Sequence, residues 1–170
     1  MSRLGELTSK IDLFFTRVEQ RHPDDMKCRT GCSDCCHVRL SITRVEAEAI
    51  RTVVETFTDE QRANLARSLA SAAPDRCAAL DVSGRCTIYA ARPVVCRSHG
   101  VPIRMGRGSL AVIQACHHNF TARGPAAADP DCILDQATTS TILLAIDRDA
   151  HADDPDGERV DLAELIRQLC

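Results

Sequence analysis

The chain reads as an α+β domain, mainly helical, with a cysteine-rich, metal-stabilised central region and short β-hairpins. Three observations predict this class. Apolar residues recur at helical spacing in both terminal segments, and two capping boxes, Thr43 to Glu46 and Thr58 to Gln61, open further helices between them. Residues 75–124, by contrast, are punctuated by Gly84, Gly100, Gly106, Gly108 and Gly124 and carry only short pieces. Finally, Cys28, Cys32, Cys35 and Cys36 gather four thiols into nine polar residues, a density that packing does not ask for and that soft metals do.

The N-terminal segment, residues 1–24, places Leu4, Leu7, Ile11, Phe14, Phe15 and Val18 on one helical face, and Pro23 ends it. The thiol run follows in a loop. His37 to Ile42 alternates and predicts a short strand. A second helix starts at the Thr43 box, with Val45, Ala49, Val53 and Phe57 as its expected buried stripe. A third starts at the Thr58 box, turns Leu65, Leu69 and Ala72 inward, and ends at Pro74. Leu80 to Cys86 resembles two extended pieces joined by a turn. Pro93 suits the first turn of a short helix containing Cys96, where its missing N–H costs nothing. Ile103 to Ile113 predicts a hairpin around Gly106-Arg107-Gly108, with Cys116-His117-His118 directly after it. Residues 125–135 read as a loop. Two further helices follow: about Gln136 to Ala150, marked by Leu134, Thr138, Thr141, Leu144, Ala145 and Arg148, and a last one capped at Asp161 and ending at Cys170.

Its 170 residues suit a single domain, with the N-terminal helix in 1–24, a metal-binding region in 25–120 and C-terminal helices in 121–170. The core is aliphatic, since there are four Phe, one Tyr and no Trp. A core so poor in aromatics gains from a metal crosslink, and structural zinc in small peptides contributes on the order of 10–16 kcal/mol. A net charge of −3 without a basic stripe excludes a general polyanion binder, so no nucleic-acid partner is expected. No window approaches the run of about 20 apolar residues that crosses a membrane. Charges through the first twenty residues leave no signal-peptide core. Ten cysteines in that setting point to a reducing cytoplasm, where thiols hold metals, rather than to a disulfide-stapled secreted domain.

Beyond the first four, Cys77, Cys86, Cys96 and Cys116 lie outside the expected helices, whereas Cys132 and Cys170 look spare. Eight thiols divide into two four-thiolate sites, as two zinc ions or as a [4Fe–4S] cluster with a zinc; one metal with four bystanders is the plainer alternative. His37, His99 and His117 neighbour cysteines and can substitute as ligands or remain surface imidazoles. Cys35 and Cys36, being adjacent, point apart in an extended backbone and suit two different centres; the alternative is one ligand and one packed thiol.

The pattern G-x-C-x-I-Y-x-x-R-P-x-x-C-R at Gly84 to Arg97, preceded by C-x₃-C-x₂-C-C at Cys28 to Cys36, resembles the YkgJ-type "CxxCxxCC" family of zinc- or iron-chelating domains. The resemblance covers about residues 25–120. It implies a ligand set of Cys28, Cys32, Cys35, Cys36, Cys77, Cys86, Cys96 and Cys116, zinc and/or an iron–sulfur cluster as cofactor, and a cytoplasmic location. The first gap here is three residues rather than the two of the family's name. Tyr89, Arg92 and Arg97 are the candidate cofactor-binding residues outside the thiols, because an arginine beside thiolates can donate N–H···S bonds and offset their charge. They can equally pack or pair with carboxylates. The resemblance leaves the activity open. A metal-binding protein is the first reading. The alternatives are a metal- or iron–sulfur-dependent enzyme, either an oxidoreductase or a peptide-modifying enzyme of the kind in which flagellin lysine methylases carry a similar cysteine set, or a metal chaperone or sensor.

Overall fold

The computed structural model describes residues 2–73, 75–106 and 108–170. Among them, α1 (Arg3–Arg21) is followed by β1 (Ser41–Ile42), α2 (Arg44–Glu55), α3 (Asp59–Ala70), α4 (Val94–Ser98), β2 (Ile103–Met105), β3 (Val112–Gln114), β4 (Leu134–Asp135), α5 (Gln136–Ala150), β5 (Val160–Asp161) and α6 (Leu162–Leu169). The mainly helical α+β class is therefore observed. The chain divides into two compact units, each made of two segments: residues 1–29 with 94–146, and residues 30–93 with 147–170. The first division falls between Arg29 and Thr30, inside the thiol run. The last falls within α5, after Ile146.

In the first unit α1 packs on α4, and Arg97 of α4 holds Asp12 of α1 at 2.6 Å. The Ser2 hydroxyl caps α1 by accepting from the Gly5 N–H. Val18, Met26, Val101, Phe120, Ala128 and Cys132 form a buried apolar cluster in this unit. Its sheet has the order β3-β2-β4. The expected hairpin is present as antiparallel β2 and β3, with Arg104 opposite Ile113; Arg107, part of the turn expected from the sequence, lies outside the described residues. The segment read as a loop over 125–135 supplies a third strand. β4 runs parallel to β2, joined by the Leu134 N–H donating to Pro102 O at 2.8 Å. Two residues are too short for any alternation to announce a strand, and the parallel partner is about thirty residues away in sequence.

The second unit is built on α2, α3 and α6. Ile42, Ala47, Ile50, Val54, Leu65, Leu162, Leu165 and Ile166 share one core with Ala78, Ala79 and Ile88. The buried stripe of α2 differs from the expected one. Glu46, Ala47, Ile50 and Val54 are buried, while Val45, Ala49, Val53 and Phe57 are half-buried. The reason is the cap. The Glu46 carboxylate turns inward and accepts from both the Thr43 N–H (2.9 Å) and the Thr43 hydroxyl (2.8 Å), which rotates the inward face by about one residue. In α3, Leu65 is buried as expected. The helix ends at Ala70 with Ser71 as its C-cap, and Pro74, read as the stop, lies outside the described residues. The strand expected over His37 to Ile42 shrinks to Ser41–Ile42, paired antiparallel with β5, and Val38 is exposed.

Candidate metal centre

The second unit assembles its thiols around a tight turn. The Asp81 carboxylate accepts from the Ser83 N–H, the Ser83 hydroxyl and the Arg85 N–H at 2.7–2.9 Å, and Gly84 takes the left-handed conformation (φ +77°). The turn closes a single antiparallel bridge between Leu80 and Cys86, so that Cys77 and Cys86 lie on the two arms of one short loop. Ala78, Ala79, Leu80 and Ile88 bury both arms in the core. A 3₁₀ turn at Asp34–Cys36 carries the adjacent pair, and the Cys36 carbonyl accepts from the Cys77 N–H at 2.7 Å. Cys35 Sγ and Cys36 Sγ are 4.0 Å apart. The adjacent pair therefore faces the same neighbourhood. In a 3₁₀ turn successive side chains do not diverge as they do in extended backbone.

These four thiols act on one another electrically. Cys36 donates to Cys35 and holds it down at about 6, while Cys36 itself is pushed up by that bond, by burial and by the charges of Cys35, Cys77 and Cys86. Burial and the neighbouring thiolates push Cys86 up to about 11, and burial raises Cys77 as well. Burial and mutual repulsion disfavour charging all four thiols together, and a nearby cation compensates for that charge. Arg92 supplies part of that compensation, since its positive charge lowers both Cys35 and Cys86. Tyr89, largely exposed, lies under the Arg92 guanidinium with 3.9 Å between guanidinium carbon and ring centroid, and orients it. Cys32 belongs to the same unit and is exposed.

The first unit contains Cys28, Cys96 and Cys116. Cys28 lies against the backbone of Gly100, where a Cβ would come within 2.7 Å of its sulfur; Gly100 is also left-handed (φ +105°). Cys96 sits in α4, four residues before that glycine. The Cys116 carbonyl accepts from the Asn119 N–H at 2.8 Å, and the buried Asn119 side chain ties the neighbourhood together. Its Nδ2 donates to Cys28 Sγ (3.3 Å) and to Gly100 O (2.7 Å), and its Oδ1 accepts from the Lys27 N–H (2.8 Å). Asn119 and Gly100 escape sequence reasoning. The only hint of Asn119 is its place three residues after a cysteine. Arg97 spends one guanidinium nitrogen on Asp12. His99 and His117 fall in this unit, both exposed, with His117 stacked on His118; His37, in the other unit, is exposed at the end of the 3₁₀ turn.

Cysteine-rich turns of this kind, in a mainly helical α+β chain, are features of the metal-chelating class of protein. Residues 27–133 match the family model CxxCxxCC, described as "Putative zinc- or iron-chelating domain", and the chain belongs to that family. No curated protein and no solved structure matches the chain.

Proposed function

We propose that this protein holds metal at two separate thiolate centres. One uses Cys35, Cys36, Cys77 and Cys86, with Cys32 available beside them; the other uses Cys28, Cys96 and Cys116, with a histidine, His99 or His117, or an exogenous ligand in the fourth position. The observation that carries this reading is the division of the thiols. Of the eight candidate ligands, five fall in one compact unit and three in the other, and the adjacent Cys35 and Cys36 share a neighbourhood with Cys77 and Cys86. Zinc bound by four thiolates would crosslink the Cys77–Cys86 turn to the Cys35–Cys36 turn, and an iron–sulfur cluster held by the same ligands would add one-electron chemistry. Arg92 then offsets the surplus negative charge, and Asn119 orients Cys28.

With three of the eight candidate cysteines in the first unit, an exogenous ligand in the fourth position would make that centre exchangeable or reactive and leave the second unit's centre structural. Anaerobic purification with metal analysis and visible absorption tests the reading. Cys77→Ser and Cys116→Ser are expected to remove different fractions of the bound metal, and the double variant to remove nearly all. Loss of all metal in either single variant means one shared centre. Full metal in both means these thiols are not ligands.

A further inference from the structure

Cys132, which looks spare in the sequence, is completely buried in the first unit, and two other metal-ligating groups converge on it. His22, the C-cap of α1, is 6% exposed; Asp129 is half-exposed. One ligand atom from each of His22, Asp129 and Cys132 lies within 4.8 Å of the other two. The gap between His22 Nε2 and Asp129 Oδ2 is 3.8 Å, too long for a hydrogen bond. Tetrahedral zinc-class ions separate their N, O and S ligands by about 3.3–3.6 Å, given metal–ligand bonds of about 2.0–2.3 Å. The three groups therefore need to move inward by no more than about 1 Å. From these distances we propose that His22, Asp129 and Cys132 form a further divalent transition-metal site, of zinc type, that uses none of the eight family cysteines.

The Asp129 N–H donates to Nε2 at 3.4 Å, so the Nε2 lone pair is on the Asp129 side, and a metal bound there would replace this one long hydrogen bond. The other ring nitrogen, Nδ1, faces Asp25 Oδ2 at 3.9 Å, and that carboxylate is fixed by Arg123 at 2.5 Å. At 3.9 Å that carboxylate is beyond hydrogen-bond range, and it would have to close on Nδ1 to orient a ligating imidazole. The Phe120 ring leans on the imidazole, with centroids 5.3 Å apart, and Phe120 has a left-handed backbone (φ 54°), unusual for a bulky residue. The Phe120 N–H, donating to the Asp25 carbonyl at 2.9 Å, holds that conformation in place. Asp129 and Cys132 come from one rigid Asp129-Pro130-Asp131-Cys132 turn, in which the Cys132 N–H donates to Asp129 O. Arg21 pairs with Asp129 and Asp131 at 3.1 Å each, so it stays on Asp131 when a metal takes Asp129. With three protein ligands and a half-exposed carboxylate, the fourth position is open to water.

This site does not depend on the two-centre reading, and its test separates the two. Protein carrying its native thiol-bound metal is titrated with Co(II), and released zinc and iron are measured in the same samples. The wild type is expected to take up one further Co(II) per chain without releasing native metal, with a sulfur-to-cobalt charge-transfer band and visible d–d bands. Cys132→Ala and Asp129→Asn should each lose that equivalent and band while keeping the native metal. Uptake matched by released zinc or iron overturns the proposal, as does an unchanged cobalt spectrum in both variants. If Cys132→Ala fails to fold, Asp129→Asn decides, because its carboxylate is at the surface. A chain isolated without thiol-bound metal refutes the two-centre reading and leaves this comparison intact.

Discussion

Asn119 shows how one buried amide can govern a thiolate. Its two ends satisfy the Lys27 N–H, the Gly100 carbonyl and the Cys28 sulfur together. Asn119→Ala removes the N–H···S bond and strands two backbone groups, so the metal affinity of the first-unit centre is expected to fall about 10–100-fold. Competition with a chromophoric chelator measures it, and metal retention at wild-type strength would deny Asn119 that role. Gly100→Ala tests the same contact from the other side. An added methyl group would meet the Cys28 sulfur at 2.7 Å on a left-handed backbone, so bound metal in that centre should drop while Cys77 and Cys86 keep theirs. Neither residue carries a recognisable motif. Their roles arise from groups about ninety and seventy residues from Cys28, and one-dimensional spacing does not record such distances.

At the scale of elements, caps carry the local stability. Glu46→Ala deletes both bonds to Thr43 and leaves a buried N–H unpaired, costing about 1–2 kcal/mol in chemical denaturation; Glu46→Gln, which keeps an acceptor, should cost less. Asp161 caps α6 by accepting from the Glu164 N–H and pairs with Arg39 at 2.9 Å, and these two partners hold its carboxyl below the usual carboxylate range. The folded pKa lies below the unfolded one. The stabilisation is therefore present above the unfolded value, about 3.9, and is lost as pH falls through the folded value. The stability gap between wild type and Asp161→Asn should persist at pH 7 and narrow progressively as pH falls below about 3.9; a gap independent of pH would remove the charge from the explanation. Both caps are legible as sequence, because a Thr or Asp three residues before a Glu is a local pattern. The burial of Glu46 is not. A carboxylate is counted as polar until the fold turns it inward, and this is why the expected stripe of α2 sits one residue off.

Across the whole molecule, each unit has buried apolar residues of its own, and the second packs α2, α3 and α6 around its core. Removing metal should therefore loosen the thiol turns first. After chelation, hydrogen exchange is expected to accelerate in residues 30–36 and 77–92 while α2, α3 and α6 stay protected. Simultaneous loss of protection in all of them would mean that metal, rather than apolar packing, holds that unit together.

By itself the sequence determined the family, the mainly helical class, the starts of α2, α3 and α6 and the eight candidate thiols, because these rest on short-range spacing and on residue chemistry. Tertiary structure decided how the thiols are shared out. It put a boundary between Cys28 and Cys32, gathered Cys35, Cys36, Cys77 and Cys86, paired β4 with β2, and buried Cys132 beside His22. The physical reason is common to all four. Each depends on which distant segments share a core, and that is a property of packing over the whole chain rather than of any window along it.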